Sequence, residues 1–221
     1  MRINLYGQVK EVEKTFDDYI NLKKSAVVSI DMNRSHLDDD CPCPAPRARD
    51  IIEPINIFHR QARKIGLPII HIKSTLRKEG VDDLHGLKAA WRSVFPLYIG
   101  EISNSNEHAL EGTKWSELVT EVNEEDLIVQ TKKRLTAFYP SDLDFLLRNL
   151  GTRTIILNGG MTDCCILNSA FDGSNLGYKV IVLSDLVRGT NAEMENAALK
   201  IISIHLGLVM DSNELMNQWK N

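Results

Sequence analysis

The chain has 221 residues, and its 26 lysines and arginines against 30 aspartates and glutamates give a formal net charge of −4. This balance argues against a nucleic-acid-binding protein that acts through a broad basic surface. A content of 43% hydrophobic and 25% charged residues argues against a disordered chain. The sequence has no apolar run of about 18 residues, and its first part has no apolar signal segment, so we expect a cytoplasmic protein without a membrane span.

Short apolar, β-branched runs alternate with helical patterns along the chain. The runs predict strands at 26–30, 68–72, 127–131, 154–157, 180–183 and 208–210. Between them, apolar residues at helical spacing, capping residues and terminal glycines predict helices over 48–65, 141–150, 162–176 and 191–206, and a small helix from Ser212. The alternation indicates an α/β fold, a three-layer α/β/α arrangement with a central, mainly parallel six-stranded sheet.

One segment, 76–126, interrupts this alternation. It contains Trp91, Trp115 and several charges, without a clean hydrophobic period. A connection of this length in an α/β domain is usually functional or a partner contact. A disordered surface loop is the alternative, which the two tryptophans and Phe95 disfavour because they favour burial. We therefore predict an N-terminal extension over 1–24 and one domain over 25–221, with 76–126 as a specificity insertion.

The four cysteines form two close pairs, Cys41 with Cys43 and Cys164 with Cys165. They are too few and too close in sequence to form a disulfide scaffold, which favours a reduced, intracellular setting. Cys41 and Cys43 lack the C-x-x-C spacing that is common in metal sites. Segment 38–46 is therefore interpreted as a rigid, proline-rich loop that follows the first strand and is a candidate rim of the site.

Reactive side chains follow three of the predicted strands. In open parallel sheets, functional sites form outside the carboxyl ends of the strands. Asp31 follows the first strand, Lys132 the third, and Cys165 the fourth. A helix N-terminus and a nearby cation lower the pKa of a thiol, a carboxylate can take its proton, and an ammonium keeps that carboxylate ionised. Each residue alone has an ordinary structural interpretation, but together they predict a nucleophilic cysteine site.

Other polar residues at the same edge are weaker candidates. They are His71, Lys73, Ser74, Lys133, Arg134 and Asp185. His71 lies inside an apolar strand and is interpreted as a hydrogen-bonded core residue. Lys133 and Arg134 are interpreted either as partners of a substrate carboxylate or as a solvated charge patch.

Three segments resemble the isochorismatase-like cysteine hydrolases: KKRLTAF at 132–138, NGGMTDCCILNSAFD at 158–172 and GYKVIVLSD at 177–185. The family pattern places a catalytic Asp after the first strand, a catalytic Lys six residues before a Phe, and a catalytic Cys six residues after a Gly. Asp31, Lys132 and Cys165 occupy these positions, and Cys164 falls outside the pattern. The resemblance implies an isochorismatase-like, Rossmann-like fold with these three residues as the catalytic set.

The resemblance also implies further site features. These are a cis peptide bond between Gly160 and Met161 and an oxyanion hole formed by the N–H groups of Met161 and Cys165. Substrate-binding candidates are Asn33, His36, Trp91, Glu111, Thr113, Arg134 and Phe138. Nicotinamidase relatives hold a metal through an Asp-x-His pair after the second strand, and this chain has none there, with His85 isolated further out. We therefore expect no metal and no cofactor.

The activity that the resemblance implies is hydrolysis of C–N bonds other than peptide bonds. We expect a cysteine-dependent amidohydrolase that cleaves a small amide, carbamoyl or ureido compound through a thioester and releases ammonia or an amine. Two alternatives stay open: an isochorismatase-type vinyl ether hydrolase, and a non-catalytic family member that acts as a binding subunit. The expected partner is a small-molecule amide, with no nucleic acid and no membrane. Family members commonly form dimers or tetramers, so the resemblance implies a homodimer or homotetramer.

Overall fold

The computed structural model describes residues 2–5, 8–11, 19–78, 80–83 and 90–220. At its centre lies a sheet of six strands that all run parallel. In spatial order these are β5 (Leu127–Lys132), β4 (Ile69–Ser74), β3 (Ser25–Ile30), β6 (Thr154–Gly160), β7 (Lys179–Arg188) and β8 (Gly207–Met210). A separate antiparallel pair, β1 (Arg2–Leu5) with β2 (Gln8–Glu11), lies in the predicted extension.

The two central strands are buried along their whole length. Every residue of β3 and β6 is buried, because helices cover both faces of a parallel sheet. Along β3 the side chains alternate between two hydrophobic clusters, with Val28 and Ile30 in one and Val27 in the other. This alternation follows from the two-residue period of a strand.

Seven α-helices in the described part of the chain complete the fold. They are α1 (Arg34–Leu37), α2 (Ile52–Lys64), α3 (Ala90–Ile99), α4 (Leu143–Asn149), α5 (Leu167–Asn175), α6 (Ala192–His205) and α7 (Ser212–Gln218). Apolar residues of α2 and α7 contribute to one cluster, and those of α4, α5 and α6 contribute to the other. The predicted three-layer α/β/α architecture is therefore confirmed, with a sheet that is entirely parallel.

Two element boundaries differ from the prediction. The helix predicted over 48–65 begins with a 3₁₀ segment, Pro46–Ile51, and becomes α-helical only at Ile52. Strand β7 continues to Arg188, so Asp185 lies inside the strand rather than after it. The Asp185 carboxylate accepts hydrogen bonds from the backbone N–H and the hydroxyl of Ser212, at 2.9 and 2.5 Å. Asp185 therefore holds the start of α7 and is not a site residue.

The described part of segment 76–126 packs against the domain. Trp115 is buried, and its indole N–H donates to Glu107 at 2.9 Å. Backbone bridges join Asn33 to Leu118 and Leu76 to Leu110. His85 and the side chain of Trp91 lie outside the described residues. None of the helices in the described ranges combines the length and the apolar character that crossing a lipid bilayer requires.

Candidate active site

A cavity of about 70 Å³ opens at the carboxyl ends of β3, β4, β5 and β6. Its lining includes Asp31, Ser74, Lys132, Met161 and Cys165. Room of this size holds on the order of five water molecules. It lies where parallel sheets place their ligands.

Each of the three predicted catalytic residues is held by the end of a strand. Asp31 directly follows β3, with a left-handed backbone φ of 54°, and its N–H donates to the Ile72 carbonyl of the neighbouring strand at 3.0 Å. Aspartate tolerates this conformation better than most residues. Lys132 is the last residue of β5. Cys165 lies in a π-helical turn, Thr162–Ile166, that links β6 to α5.

The lysine ammonium joins the other two groups. Lys132 Nζ lies 2.6 Å from Asp31 Oδ2 and 3.5 Å from Cys165 Sγ. Ser74 adds a fourth member, since its hydroxyl donates to Asp31 Oδ1 at 2.9 Å and accepts from Lys132 Nζ at 2.9 Å. Both carboxylate oxygens of Asp31 therefore have a partner. The sequence predicts Ser74 at this edge of the sheet but predicts no role for it. Its pairing with Lys132 follows from the register of β4 against β5.

Charges of opposite sign stabilise each other in this buried setting. Burial alone would raise the pKa of Asp31, but the charges of Lys132 and His36 and hydrogen bonds from Cys165 and Lys132 together hold it below its ordinary value. Burial would lower the pKa of Lys132, and the Asp31 carboxylate and the neighbouring thiols raise it instead. At neutral pH the site therefore contains a carboxylate and an ammonium, so Asp31 is ready to accept a proton.

The pKa of the Cys165 thiol differs from the prediction. The sequence predicts a lowered pKa. A hydrogen bond with Cys164 and burial instead raise the pKa of Cys165, and they outweigh the lowering effect of Lys132. The two sulfur atoms lie 3.9 Å apart. At neutral pH Cys165 is thus a protonated thiol near an ionised carboxylate, which is able to accept a proton from it.

The backbone before the thiol has an unusual path. The peptide bond between Gly160 and Met161 is cis, and both residues line the cavity. Gly159 has a φ of 108°, and a Cβ atom there would overlap the Ile30 carbonyl oxygen. Only glycine permits β6 to approach β3 this closely. The oxyanion hole of Met161 and Cys165 N–H groups stays a prediction.

Of the predicted substrate-binding residues, His36 and Arg134 line the cavity. Arg134 donates to the backbone carbonyls of Lys133 at 2.8 Å and Asp82 at 3.0 Å. Lys133 also lines the cavity, and its ammonium donates to the Thr75 carbonyl. Lys133 Nζ also forms an ion pair with Asp82, at 3.9 Å from its Oδ2.

Four other predicted substrate-binding residues lie elsewhere, which corrects that part of the prediction. Asn33 is fully buried and donates to the Ser116 carbonyl at 3.2 Å, so it anchors the insertion. Glu111 is exposed along a separate surface groove. The Thr113 hydroxyl donates to the Leu110 carbonyl at 2.7 Å. Phe138 packs in the core, stacked on Tyr178 with ring centroids 5.9 Å apart.

A second group of reactive side chains lies on the cavity wall. Donor atoms of His36, Cys43 and His108 are all within 4.8 Å of one another, and the three residues line the cavity. From the sequence, Cys43 is predicted to lie in a rigid loop, and no role is predicted for His108. The sequence spacing does not predict that these residues lie close together, because His108 belongs to the aperiodic insertion. The proline-rich loop does rim the site, through Cys43 and Ala45.

His71 is a hydrogen-bonded core residue, as predicted from the sequence. It is fully buried, and its Nε2 lies 3.1 Å from Asp126 Oδ2. Asp126 also pairs with Arg63 at 2.6 Å. His71 therefore belongs to a polar network beneath the sheet edge and does not reach the cavity lining.

Comparison with known proteins places this geometry in a family. Over 107 residues the chain is 32% identical to the uncharacterized isochorismatase family protein YwoC of Bacillus subtilis, a match that covers 48% of this chain and 57% of that protein. Over 85 residues it is 34% identical to the ureidoacrylate amidohydrolase RutB of Methylorubrum extorquens, covering 38% of this chain and 34% of that protein. The matched stretch thus spans less than two thirds of either relative.

A solved structure is similar over a longer range. The isochorismatase-like hydrolase from Alkaliphilus metalliredigens superposes with a TM-score of 0.75 at 28% identity, covering 89% of this chain and 100% of that one. The family model of the isochorismatase domain matches residues 25–214, which is most of the chain. The protein therefore belongs to the isochorismatase family of hydrolases.

Proposed function

We propose that this hydrolase is a cysteine-dependent amidohydrolase that cleaves the C–N bond of a small amide, carbamoyl or ureido compound. The observation that carries the proposal is the contact of one buried ammonium with both a carboxylate and a thiol, at 2.6 and 3.5 Å, on the wall of a small cavity. Similarity to a ureidoacrylate amidohydrolase supports the same class of reaction.

The first half of the reaction forms a thioester. Asp31 takes the proton of Cys165 as the sulfur attacks the carbonyl carbon of the substrate. The N–H groups of Met161 and Cys165 hold the resulting oxyanion. The intermediate collapses, the C–N bond breaks, and the protonated Asp31 gives its proton to the departing ammonia or amine.

The second half returns the enzyme to its starting state. Asp31 takes a proton from water, whose oxygen attacks the thioester carbon. Collapse of this second intermediate breaks the C–S bond and releases the acid, and the proton held by Asp31 returns to the Cys165 sulfur. Lys132 keeps Asp31 ionised between these transfers, and Ser74 fixes the carboxylate orientation.

The cavity narrows the substrate class. Lys133 and Arg134 line the cavity and favour a substrate that carries a carboxylate. We also propose a homodimer or homotetramer in the cytoplasm, to be checked by light scattering and by fractionation of the source cell.

An ammonia-release screen tests the activity. The compounds are nicotinamide, biuret, N-carbamoyl amino acids, ureidoacrylate and maleamate, and the carboxylate-bearing members are expected to turn over fastest. Release of pyruvate from isochorismate without ammonia from any amide would instead establish a vinyl ether hydrolase. Turnover of neither class would favour a binding subunit.

A pair of adjacent cysteines provides a matched test of the mechanism. Cys165→Ser is expected to lower kcat/KM by at least about 10³-fold, because the serine hydroxyl is a far weaker nucleophile beside a single carboxylate. Cys164→Ser is expected to change kcat/KM by less than about 10-fold, since it alters only the acceptor of a hydrogen bond that the Cys165 thiol donates. The reverse outcome would move the nucleophile to Cys164, and full activity in both variants would refute thioester chemistry.

A further inference from the structure

We infer that His36, Cys43 and His108 form a binding site for one zinc ion on the wall of the cavity. This inference goes beyond the proposed amidohydrolase activity and does not depend on it. The three side chains come from the segment after β3 and from the insertion, and none belongs to the Asp31–Lys132–Cys165 set.

The donor atoms are close enough to share an ion. One nitrogen from each imidazole and the Cys43 sulfur all lie within 4.8 Å of one another. In a tetrahedral zinc site, bond lengths of about 2.0–2.3 Å put neighbouring donors roughly 3.3–3.6 Å apart. The donor atoms therefore need to converge by up to about an ångström to bind one ion.

A backbone hydrogen bond already orients one of the ligands. His36 Nδ1 lies 2.9 Å from the Cys43 carbonyl oxygen. A carbonyl only accepts, so Nδ1 carries the proton and Nε2 keeps a free electron pair for a metal. Zinc-bound histidines commonly have such an outer partner, which fixes both tautomer and ring orientation.

The donor set selects zinc over the commoner cations. Thiolate and imidazole suit Zn²⁺, whereas Mg²⁺ and Ca²⁺ require oxygen ligands, and this set has no carboxylate. Three protein ligands leave one tetrahedral position open. That position faces the cavity, because all three residues line it.

The test uses the full-length protein, stripped with a chelator and titrated with Co²⁺ as a spectroscopic probe and then with Zn²⁺. We expect one equivalent of Co²⁺ to bind and to show a thiolate-to-cobalt charge-transfer band, which one equivalent of Zn²⁺ removes. Mg²⁺ is expected to leave that band unchanged. Because the readout is metal binding rather than turnover, its failure is separable from failure of the proposed activity.

Cys43 and the nearby Cys41 provide a matched pair of variants. Cys43→Ser is expected to weaken zinc binding by about 100-fold or more and to abolish the charge-transfer band, since loss of a ligand exceeds the loss of an outer partner. Cys41→Ser removes a buried thiol two residues away that is outside the donor group, and it is expected to bind like the parent. His108→Ala, compared with the exposed His205→Ala, repeats the test if Cys43→Ser does not fold.

Three results would overturn the inference. The first is the absence of stoichiometric Co²⁺ and Zn²⁺ binding to the parent protein. The second is equal loss in Cys41→Ser and Cys43→Ser, or in His108→Ala and His205→Ala. The third is a charge-transfer band that survives in Cys43→Ser and disappears in Cys165→Ala, which would place the ion on the catalytic thiol.

Discussion

The pairing with Lys132 is what keeps the fully buried carboxylate of Asp31 ionised. Each side chain is only 2% exposed. Removing two charges from water is costly, and their attraction offsets that cost only with good geometry and further hydrogen bonds. Ser74 supplies these to both partners. Replacement of either charge therefore affects the protonation of the other as well as the stability of the fold.

The variant Lys132→Met tests this dependence through the pH profile. Without the ammonium, burial dominates and raises the pKa of Asp31, whereas in the parent it lies below its ordinary value of 3.8. The acid limb of kcat/KM, below which activity is lost as Asp31 becomes protonated, is expected to move to higher pH by one unit or more. The measurement is kcat/KM between pH 3 and 8. Lys73 lies outside the cavity lining, so Lys73→Met is expected to leave the pH of the acid limb of kcat/KM unchanged.

Individual reactive residues were predictable because chemistry and topology agree on them. Asp31, Lys132 and Cys165 each follow an apolar run, and parallel strands bring such positions together. The contacts of Ser74 depend on the register of β4 against β5, which has a shift between Ile72 and Ser74 that no periodicity reveals. The raised pKa of Cys165 depends on a side-chain orientation, which lies equally beyond the sequence.

At the level of the element, strand β6 and the turn that follows it determine the position of Cys165. β6 lies between β3 and β7, buried on both faces. Its last residues, Gly159 and Gly160, leave the strand and lead into the π-helical turn that carries Cys165. The close approach at Gly159 therefore sets the distance between Cys165 and Asp31, which follows the adjacent end of β3.

Two glycines with positive φ allow this approach to be tested. Gly159→Ala places a Cβ on the Ile30 carbonyl oxygen, whereas Gly177→Ala has φ +90° and no atom within 4 Å. The second substitution is expected to cost about 1–2 kcal/mol from backbone strain alone. The first is expected to cost a further 1–3 kcal/mol, roughly, from overlap. Urea unfolding of both variants measures the difference, and equal values would show that the overlap relaxes freely.

Element types followed from the sequence, and element ends did not. The prediction placed the end of the fifth strand at residue 183 because Ser184 and Asp185 break the apolar run. Asp185 is retained in β7 because Ser212 satisfies its carboxylate, a contact made only in the folded chain. The 3₁₀ start of the helix before Ile52 likewise depends on tertiary packing, since its apolar spacing continues that of α2.

At the level of the whole molecule, a polar network ties a covering helix to the sheet. His59 of α2 lies against His71 of β4, with ring centroids 5.3 Å apart. Asn158 of β6 lies 3.2 Å from His59 Nε2. On the other side Asp126 bridges His71 and Arg63. Both histidines are fully buried, so their protonation is linked to folding.

This network predicts an acid-sensitive fold. Burial chiefly lowers the pKa of His59 to about 3, and it also lowers that of His71. Between pH 6.5 and 3, His59 is protonated in the unfolded chain and neutral in the folded chain. The free energy of unfolding therefore falls as pH falls. His59 contributes a slope of up to about 1.4 kcal/mol per pH unit in this range, and His71 contributes in the same direction. Urea unfolding between pH 4.5 and 6.5 measures this slope above the range in which the lowered pKa of Asp31 acts; His36, whose pKa burial also lowers, adds to the slope.

The control for the acid-sensitivity prediction is an exposed histidine. His59→Gln is expected to reduce the slope, whereas His205→Gln, on the solvent-exposed end of α6, is expected to leave it unchanged. An identical slope in both variants would assign the acid sensitivity to other groups. A stability that rises as pH falls would contradict the neutral state of the buried rings.

The arrangement of the central strands has a consequence during synthesis. Strand β3 is made before both of its partners, since β4 and β6 lie about 40 and 130 residues further along. A nascent chain that has not yet emerged beyond Gly160 leaves one edge of β3 unpaired and apolar. Asp31 emerges long before Lys132, the cation that neutralises it. Ribosome-bound chains that end before Gly160 are therefore expected to expose this edge to chaperones and to aggregation.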